Sequence, residues 1–173
     1  LKIRPTIIIY TGSGKGKTTA SLGLAFRSFG HDMKVVVIQF LKGMKEVGEF
    51  KAARLLPENF KIYQFGSGKF FKPGDRPRKD VRFSKKGLEF AKKLITEDRV
   101  DVLVLDEINV AISLGLLDEE DVLNFLNSID RDIIVVLTGR NAPRRIIDIA
   151  DIATEMVELK YMMDKKPRKG VEI

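Results

Sequence analysis

The sequence predicts a single α/β domain: a mainly parallel sheet with helices on both faces. Three observations carry that expectation. Strand-like and helix-like segments alternate along all 173 residues. Several strand segments, KVVVIQF, VDVLVL and DIIVVL, are continuously apolar rather than alternating, as strands covered on both faces are. No repeat, low-complexity tract or composition break divides the chain, so one domain is expected over 1–173.

The elements follow in order. Residues 6–10 (TIIIY) form a short β-branched run that reads as a buried strand. A glycine-rich loop follows. Lys17–Phe29 reads as a helix with Ala20, Leu22, Leu24, Ala25 and Phe29 on its apolar face, and Gly30 is expected at the C′ position. Residues 34–40 make a second strand, and LKGMKEVGEF a loop entering a short helix. Phe60–Phe65 alternates, which suits a strand nearer the sheet edge. Residues 66–79 (GSGKFFKPGDRPRK) form a long loop of the kind that is functional or mobile. A helix over 80–96 has Val81, Leu88, Ala91, Leu94 and Ile95 as its apolar side. A strand over 100–105 ends in Asp106-Glu107, and two helical segments follow, the second capped by Asp118. A strand over 132–137 runs into Thr138-Gly139-Arg140. A helix is expected after Pro143, a last strand over 154–159, and a basic tail over 164–173 that orders only when something binds it.

Composition removes several function classes. With no cysteine, thiol catalysis, disulfides and Cys-ligated zinc or iron–sulfur centres are excluded. His31 is the only histidine. It lies between Gly30 and Asp32 in a turn context, which leaves no basis for a His-rich metal site or a Ser-His-Asp triad. No apolar run approaches the ~18–20 residues of a membrane span, and no signal peptide is visible, so a cytoplasmic protein is expected. The net charge of +7 favours anionic partners: nucleotides, nucleic acid or acidic proteins.

The chemistry concentrates at strand ends. Residues 11–19 read TGSGKGKTT. The ordinary Walker A loop is G-x-x-x-x-G-K-[ST]. Counted back from Gly16-Lys17-Thr18, the first glycine belongs at position 11, where Thr11 stands. Only three residues separate Gly12 from Gly16. The loop still follows a strand and opens a helix, where backbone N–H groups and the helix N-terminus favour phosphate. Gly12, Gly14 and Gly16 permit a tight turn and close approach. Lys17 is expected to reach phosphate oxygens, and Thr18, with Thr19 assisting, to offer a hydroxyl to Mg²⁺. Asp106-Glu107 reads as a Walker B carboxylate pair that meets that cation; read alone, the pair also fits a helix N-cap followed by a first-turn acid. Arg140 sits at a strand end, where ligand sites of open parallel sheets lie. Phe70 and Phe71 fall among Lys72, Arg76, Arg78 and Lys79, which suits either a hydrophobic anchor or a platform for a flat ligand. Lys165, Lys166, Arg168 and Lys169 raise the same question in the tail.

Taken in order, GSGKGKTTASLGLAFRSFGH, VVVIQFLKG with Gly48-Glu49 after it, VLVLDEINVAISLGLL, VVLTGRNAP, DIADIATEM and KGVEI resemble the P-loop ATP:corrinoid adenosyltransferases, the cobalamin and cobinamide adenosylating enzymes. The resemblance spans almost the whole chain and is most specific in LTGRNAP and the short loop. It implies a P-loop NTPase-like (RecA-like) fold and transfer of the 5′-deoxyadenosyl group of ATP to Co(I) of a corrinoid (cobalamin, cobinamide or cobyrinic acid diamide), with triphosphate leaving. The phosphate chain of ATP is held reversed relative to ordinary P-loop enzymes, and a shorter loop is compatible with that grip.

Residue by residue, the resemblance gives Gly12, Ser13, Gly14, Lys15, Gly16, Lys17, Thr18 and Thr19 to the triphosphate. Thr18 and Glu107, with Asp106 beside them, go to Mg²⁺ (or Mn²⁺), and Lys42 and Arg140 to the bound substrates. In the family a G-x-G-F-x-W motif displaces the lower cobalt ligand. Here the stretch reads Gly66-Ser67-Gly68-Lys69-Phe70-Phe71, with Lys69 in place of an aromatic, Phe71 in the Trp position and Phe70 between them. Ser13 departs from a common Asn. A homodimer is implied, with a segment before the first strand covering the corrinoid; with the strand core at Ile7, that segment is expected to be short or absent. Since no thiol can reduce cobalt, an external donor such as a reduced flavoprotein is implied. The other functions the residues allow are a P-loop ATPase or kinase and a nucleotide-switched nucleic-acid-binding module, the latter the less expected.

Overall fold

The structure, a computed structural model, describes residues 3–43, 46–68, 77–161 and 168–171. Along the chain run β1 (Thr6–Thr11), α1 (Lys17–Phe29), β2 (Val35–Phe40), α2 (Gly48–Ala53), β3 (Phe60–Phe65), α3 (Arg78–Glu97), β4 (Val102–Asp106), α4 (Ile108–Ser113), α5 (Glu119–Asn127), β5 (Ile134–Thr138), α6 (Arg144–Asp148) and β6 (Ile152–Glu155). The strands form one six-stranded sheet in the order β3-β2-β4-β5-β1-β6, and every pairing is parallel. This is the expected doubly covered sheet.

The continuous apolar runs supply two cores at once, because successive side chains in a strand point to opposite faces. Ile9, Val36, Ile38, Leu103, Leu105, Val135 and Leu137 share one cluster with Leu88, Ala91 and Leu94 of α3 and with Val122 and Leu126 of α5. Ile8, Val35, Val37, Val102, Val104 and Val136 pack with Ala25 of α1 and Phe60 on the other face. β2, buried at every position, lies between β3 and β4. Gly87 on α3 is a packing glycine: a Cβ there would come within 2.8 Å of the Phe40 ring.

Three expectations are corrected. Gly30 is right-handed, with φ −65°, and caps α1 by donating its N–H to the Phe26 carbonyl. The left-handed residue is Asp32, with φ 59°, a residue type whose short polar side chain tolerates that region. α3 begins at Arg78 rather than at 80, so Arg78 and Lys79, expected in the preceding loop, belong to the helix. The last strand is Ile152–Glu155, not 154–159. Among the described residues its one neighbour is β1, and once β1 turns into the glycine-rich loop after Thr11 there is no β1 ladder left to extend. Asp118 does cap α5, accepting from the Glu120 N–H. Among the described residues no helix is long and apolar enough to cross a membrane.

Candidate active site

β1, β4, β5 and β2 deliver their carboxyl ends to one rim of the sheet, where Thr18, Lys42 and Asp106 come into contact. The site's centre is Asp106, the last residue of β4, which is fully buried. Its Oδ1 accepts from the Thr18 hydroxyl at 2.8 Å and from the Thr138 hydroxyl at 2.7 Å. Its Oδ2 accepts from Lys42 Nζ at 2.8 Å and Gln39 Nε2 at 3.2 Å. Four donors, from α1, β2, β5 and the loop after β2, thus converge on one carboxylate, and a carboxylate has about four lone-pair sites. Asp106 is the junction that ties α1, β2 and β5 to β4.

Glu107 follows in the left-handed region, with φ 64°. Its N–H donates to the Thr138 hydroxyl at 2.9 Å, so the same threonine orders both acids. A non-glycine residue in this region stores strain, which marks a position held by its surroundings. Burial, first, and the Asp106 charge, second, push the Glu107 carboxyl above the ordinary carboxylate range, against the pull of Lys42, Lys17 and Arg140. A raised acid stabilises the fold fully only below its unfolded pKa and loses that contribution as pH rises through the folded value. Glu107→Gln is therefore expected to raise the melting temperature at neutral pH, with the gain shrinking to nothing near about pH 4. It should also depress turnover with ATP. Melting curves across pH check the first effect; an unchanged melting temperature at neutral pH would rule it out.

The glycine-rich loop lies beside this junction. Gly16 caps α1 with φ 104°, and Gly12 has φ 96°, conformations that side chains rarely adopt. Lys17 is buried, and its ammonium donates to the carbonyls of Gly12 at 2.9 Å and Gly14 at 2.5 Å. Burial holds its pKa below the ordinary lysine value; Glu107 opposes that shift and Arg140 adds to it. The mutual influence of Lys17, Glu107 and Arg140 puts Arg140 in the same electrostatic field. Lys42, which follows Leu41 with its φ of 64°, reaches Asp106 from the loop after β2. Burial pulls the Lys42 ammonium down, but Asp106, Glu49 and Glu107 outweigh it and hold the group above its ordinary value. Ser13, Lys15 and Thr19 are exposed along the loop and the start of α1. Phe70 and Phe71 lie outside the described residues, as do Lys165 and Lys166.

Thr138, Gln39 and Glu49 complete the network; the sequence named Thr138 and Glu49 only as members of motifs and gave none of the three a role. Gln39 joins Asp106 to Glu49 at 3.1 Å, and its own Oε1 accepts from Gln64 on β3 at 3.0 Å. A glutamine inside the apolar run VVVIQF was the available signal, because a polar side chain buried at a central strand needs partners.

Mg²⁺ can be tested against this donor set. Among the described residues no three His, Asp or Glu side chains cluster as a cation cage. The rim offers the Thr18 hydroxyl and the Glu107 carboxylate, beside an Asp106 whose oxygens already accept four donors. That set suits an ion that completes its octahedron with substrate phosphates and water. Thr18 gives its proton to Asp106, which leaves its oxygen lone pairs for a cation. Asp106, with its lone pairs occupied, fits as the group that orients Thr18.

The family model described as ATP:corrinoid adenosyltransferase BtuR/CobO/CobP matches residues 4–173. A corrinoid adenosyltransferase of Sinorhizobium sp is 39% identical over 173 residues, covering 96% of this chain and 79% of the relative. Corrinoid adenosyltransferases of Pseudomonas aeruginosa and Escherichia coli are 35% and 33% identical, covering 98% and 93% of this chain and 84% and 81% of theirs.

Proposed function

The chain belongs to the ATP:corrinoid adenosyltransferase family and transfers an adenosyl group from ATP to a corrinoid; we propose that the group is 5′-deoxyadenosyl, that the acceptor is Co(I), and that intact triphosphate leaves. The observation that carries the reading is the match along residues 4–173, which includes the short loop and LTGRNAP together.

In this mechanism the Co(I) electron pair attacks C5′ of ATP. The Co–C bond forms as the C5′–O5′ bond breaks, and that bond's electron pair departs with the triphosphate. The protein's work is to bind and position. Gly12 to Thr19 hold the triphosphate, and Lys17 and Arg140 offset the negative charge that grows on it as it leaves. Thr18 and Glu107 hold Mg²⁺, which adds positive charge to the same leaving group. Asp106 fixes Thr18, while Lys42 pairs with the other oxygen of Asp106 and holds that carboxylate in place. Placing C5′ in line with cobalt is a proximity effect. Phe71, with Phe70, displaces the lower ligand so that Co(II) can be reduced. The enzyme works in the cytoplasm as a homodimer, drawing its electron from an external donor such as a reduced flavoprotein, and binds no nucleic acid.

The test is an anaerobic product assay. Mg-ATP with chemically reduced cob(I)alamin should yield adenosylcobalamin and triphosphate in equal amounts. Release of ADP and phosphate independent of corrinoid would identify an ATPase or kinase instead. Binding to DNA or RNA that survives moderate salt would favour the nucleic-acid reading, since purely phosphate-driven binding weakens steeply with salt.

A further inference from the structure

The short loop is held by groups that lie outside it. Thr11 stands where the ordinary pattern has glycine, and its hydroxyl accepts the Ala142 N–H at 3.1 Å. Ala142 follows Asn141, which has φ 57°, in the loop after β5. On the other side the chain continues past β6 and runs along the glycine-rich loop. Met156 donates its N–H to the Thr11 carbonyl at 2.9 Å, and its carbonyl accepts the Gly14 N–H at 2.7 Å. The fit leaves no room for side chains. A Cβ on Gly12 would stand 2.8 Å from Met156 N, and one on Gly14 2.8 Å from both Met156 O and Val157 C. Gly14 is not in the left-handed region, so its lack of a side chain is set by this wall of backbone rather than by its own torsion.

We propose that Thr11 and the backbone of Met156 are positioning residues for the triphosphate: two tethers from neighbouring strand ends that give the shortened loop its shape. Tethering removes ordering cost from the binding step. It also takes the Gly14 N–H out of the set that can face an anion and leaves that work to the first turn of α1, whose N–H groups have no intrahelical acceptor. The proposal rests on residues 12–18 being the triphosphate site.

The pattern suggests a counterintuitive variant. Thr11→Gly restores the ordinary G-x-x-x-x-G-K-T spacing, yet here it removes a tether. In the full chain, Thr11→Val and Thr11→Gly should each raise KM for ATP by roughly three- to tenfold, the worth of one hydrogen bond. KM for the corrinoid should hold in both, and the melting temperature in Thr11→Val. Thr11→Ser, which keeps the hydroxyl, should behave like the parent. A Thr11→Val enzyme with the parent's KM for ATP, or a Thr11→Gly enzyme with a better one, overturns the proposal. The second tether is read by hydrogen exchange: the Gly14 amide should exchange slowly in the parent and faster in Met156→Pro, which loses the Met156 N–H. Fast exchange at Gly14 in the parent would remove that tether. Lys17→Ala separates the two levels. If it binds and turns over ATP like the parent, the site assignment beneath the proposal fails; if it loses turnover while Thr11→Val keeps the parent's KM for ATP, only the tethers fail.

Discussion

Lys17→Ala lowers kcat/KM for Mg-ATP by about 10²–10³, the usual cost of removing one well-placed donor to developing negative charge. Lys17 is buried in the fold of its own loop, where its ammonium is held by the Gly12 and Gly14 carbonyls. A charge fixed there needs no reorganisation as the triphosphate departs. The loss should appear with any corrinoid, because it concerns the leaving group rather than the acceptor. Stability should change little. Burial depresses the Lys17 pKa, so its charged form is disfavoured by folding, and that penalty deepens as pH falls through the unfolded value. Steady-state assays with two different corrinoids, beside melting curves, test the pair of statements. Loss with one corrinoid only would mean that Lys17 acts on the acceptor.

Asp106→Ala has the largest expected effect on stability, about 3–5 kcal/mol, the cost of breaking a buried ion pair by deleting one partner. Asp106 is fully buried and satisfies Thr18, Thr138, Gln39 and Lys42 together. Without it, the ion pair left to Lys42 among the described residues is the longer one to Glu49, at 3.5 Å. For a chain of this length each kcal/mol shifts the melting temperature by about 2–4 °C, so a fall of roughly 6–20 °C is expected. Denaturant unfolding gives the free energy directly. A change under about 1 kcal/mol would mean that solvent or rearrangement satisfies the freed donors. The effect is cooperative across elements, so Asp106→Ala and Lys42→Ala should cost less together than the sum of the two alone.

Much of this was legible in the chain. The sheet could be read because VVVIQF, VDVLVL and DIIVVL are apolar on both faces, and a run of that kind has few other places to fold. α1 was legible to the residue because Gly16 and Gly30 bracket it. The strand-end motifs could be read because strand ends in a parallel sheet share one rim, so Gly16-Lys17-Thr18, Asp106-Glu107 and Thr138-Gly139-Arg140 had to be neighbours. The extent of β6 could not be read. It depends on where β1 leaves the ladder, a property of the partner strand. Gln39 was hidden for a similar reason: nothing near it in the sequence says that Asp106, Glu49 and Gln64 surround it.

By itself the sequence determined the sheet class, the position of the glycine-rich loop and the two acids at the end of β4, because each is encoded by residues close together in the chain. The tertiary structure alone decided how those parts divide their work. Asp106 is a saturated junction and Glu107 the acid with a raised pKa, although they are adjacent and chemically alike. Thr11 and Gly14 answer to Ala142 and Met156, more than a hundred residues away. The physical reason is the same in both cases. A side chain's role is set by which donors reach it and how far water is excluded, and here those donors arrive from other strands.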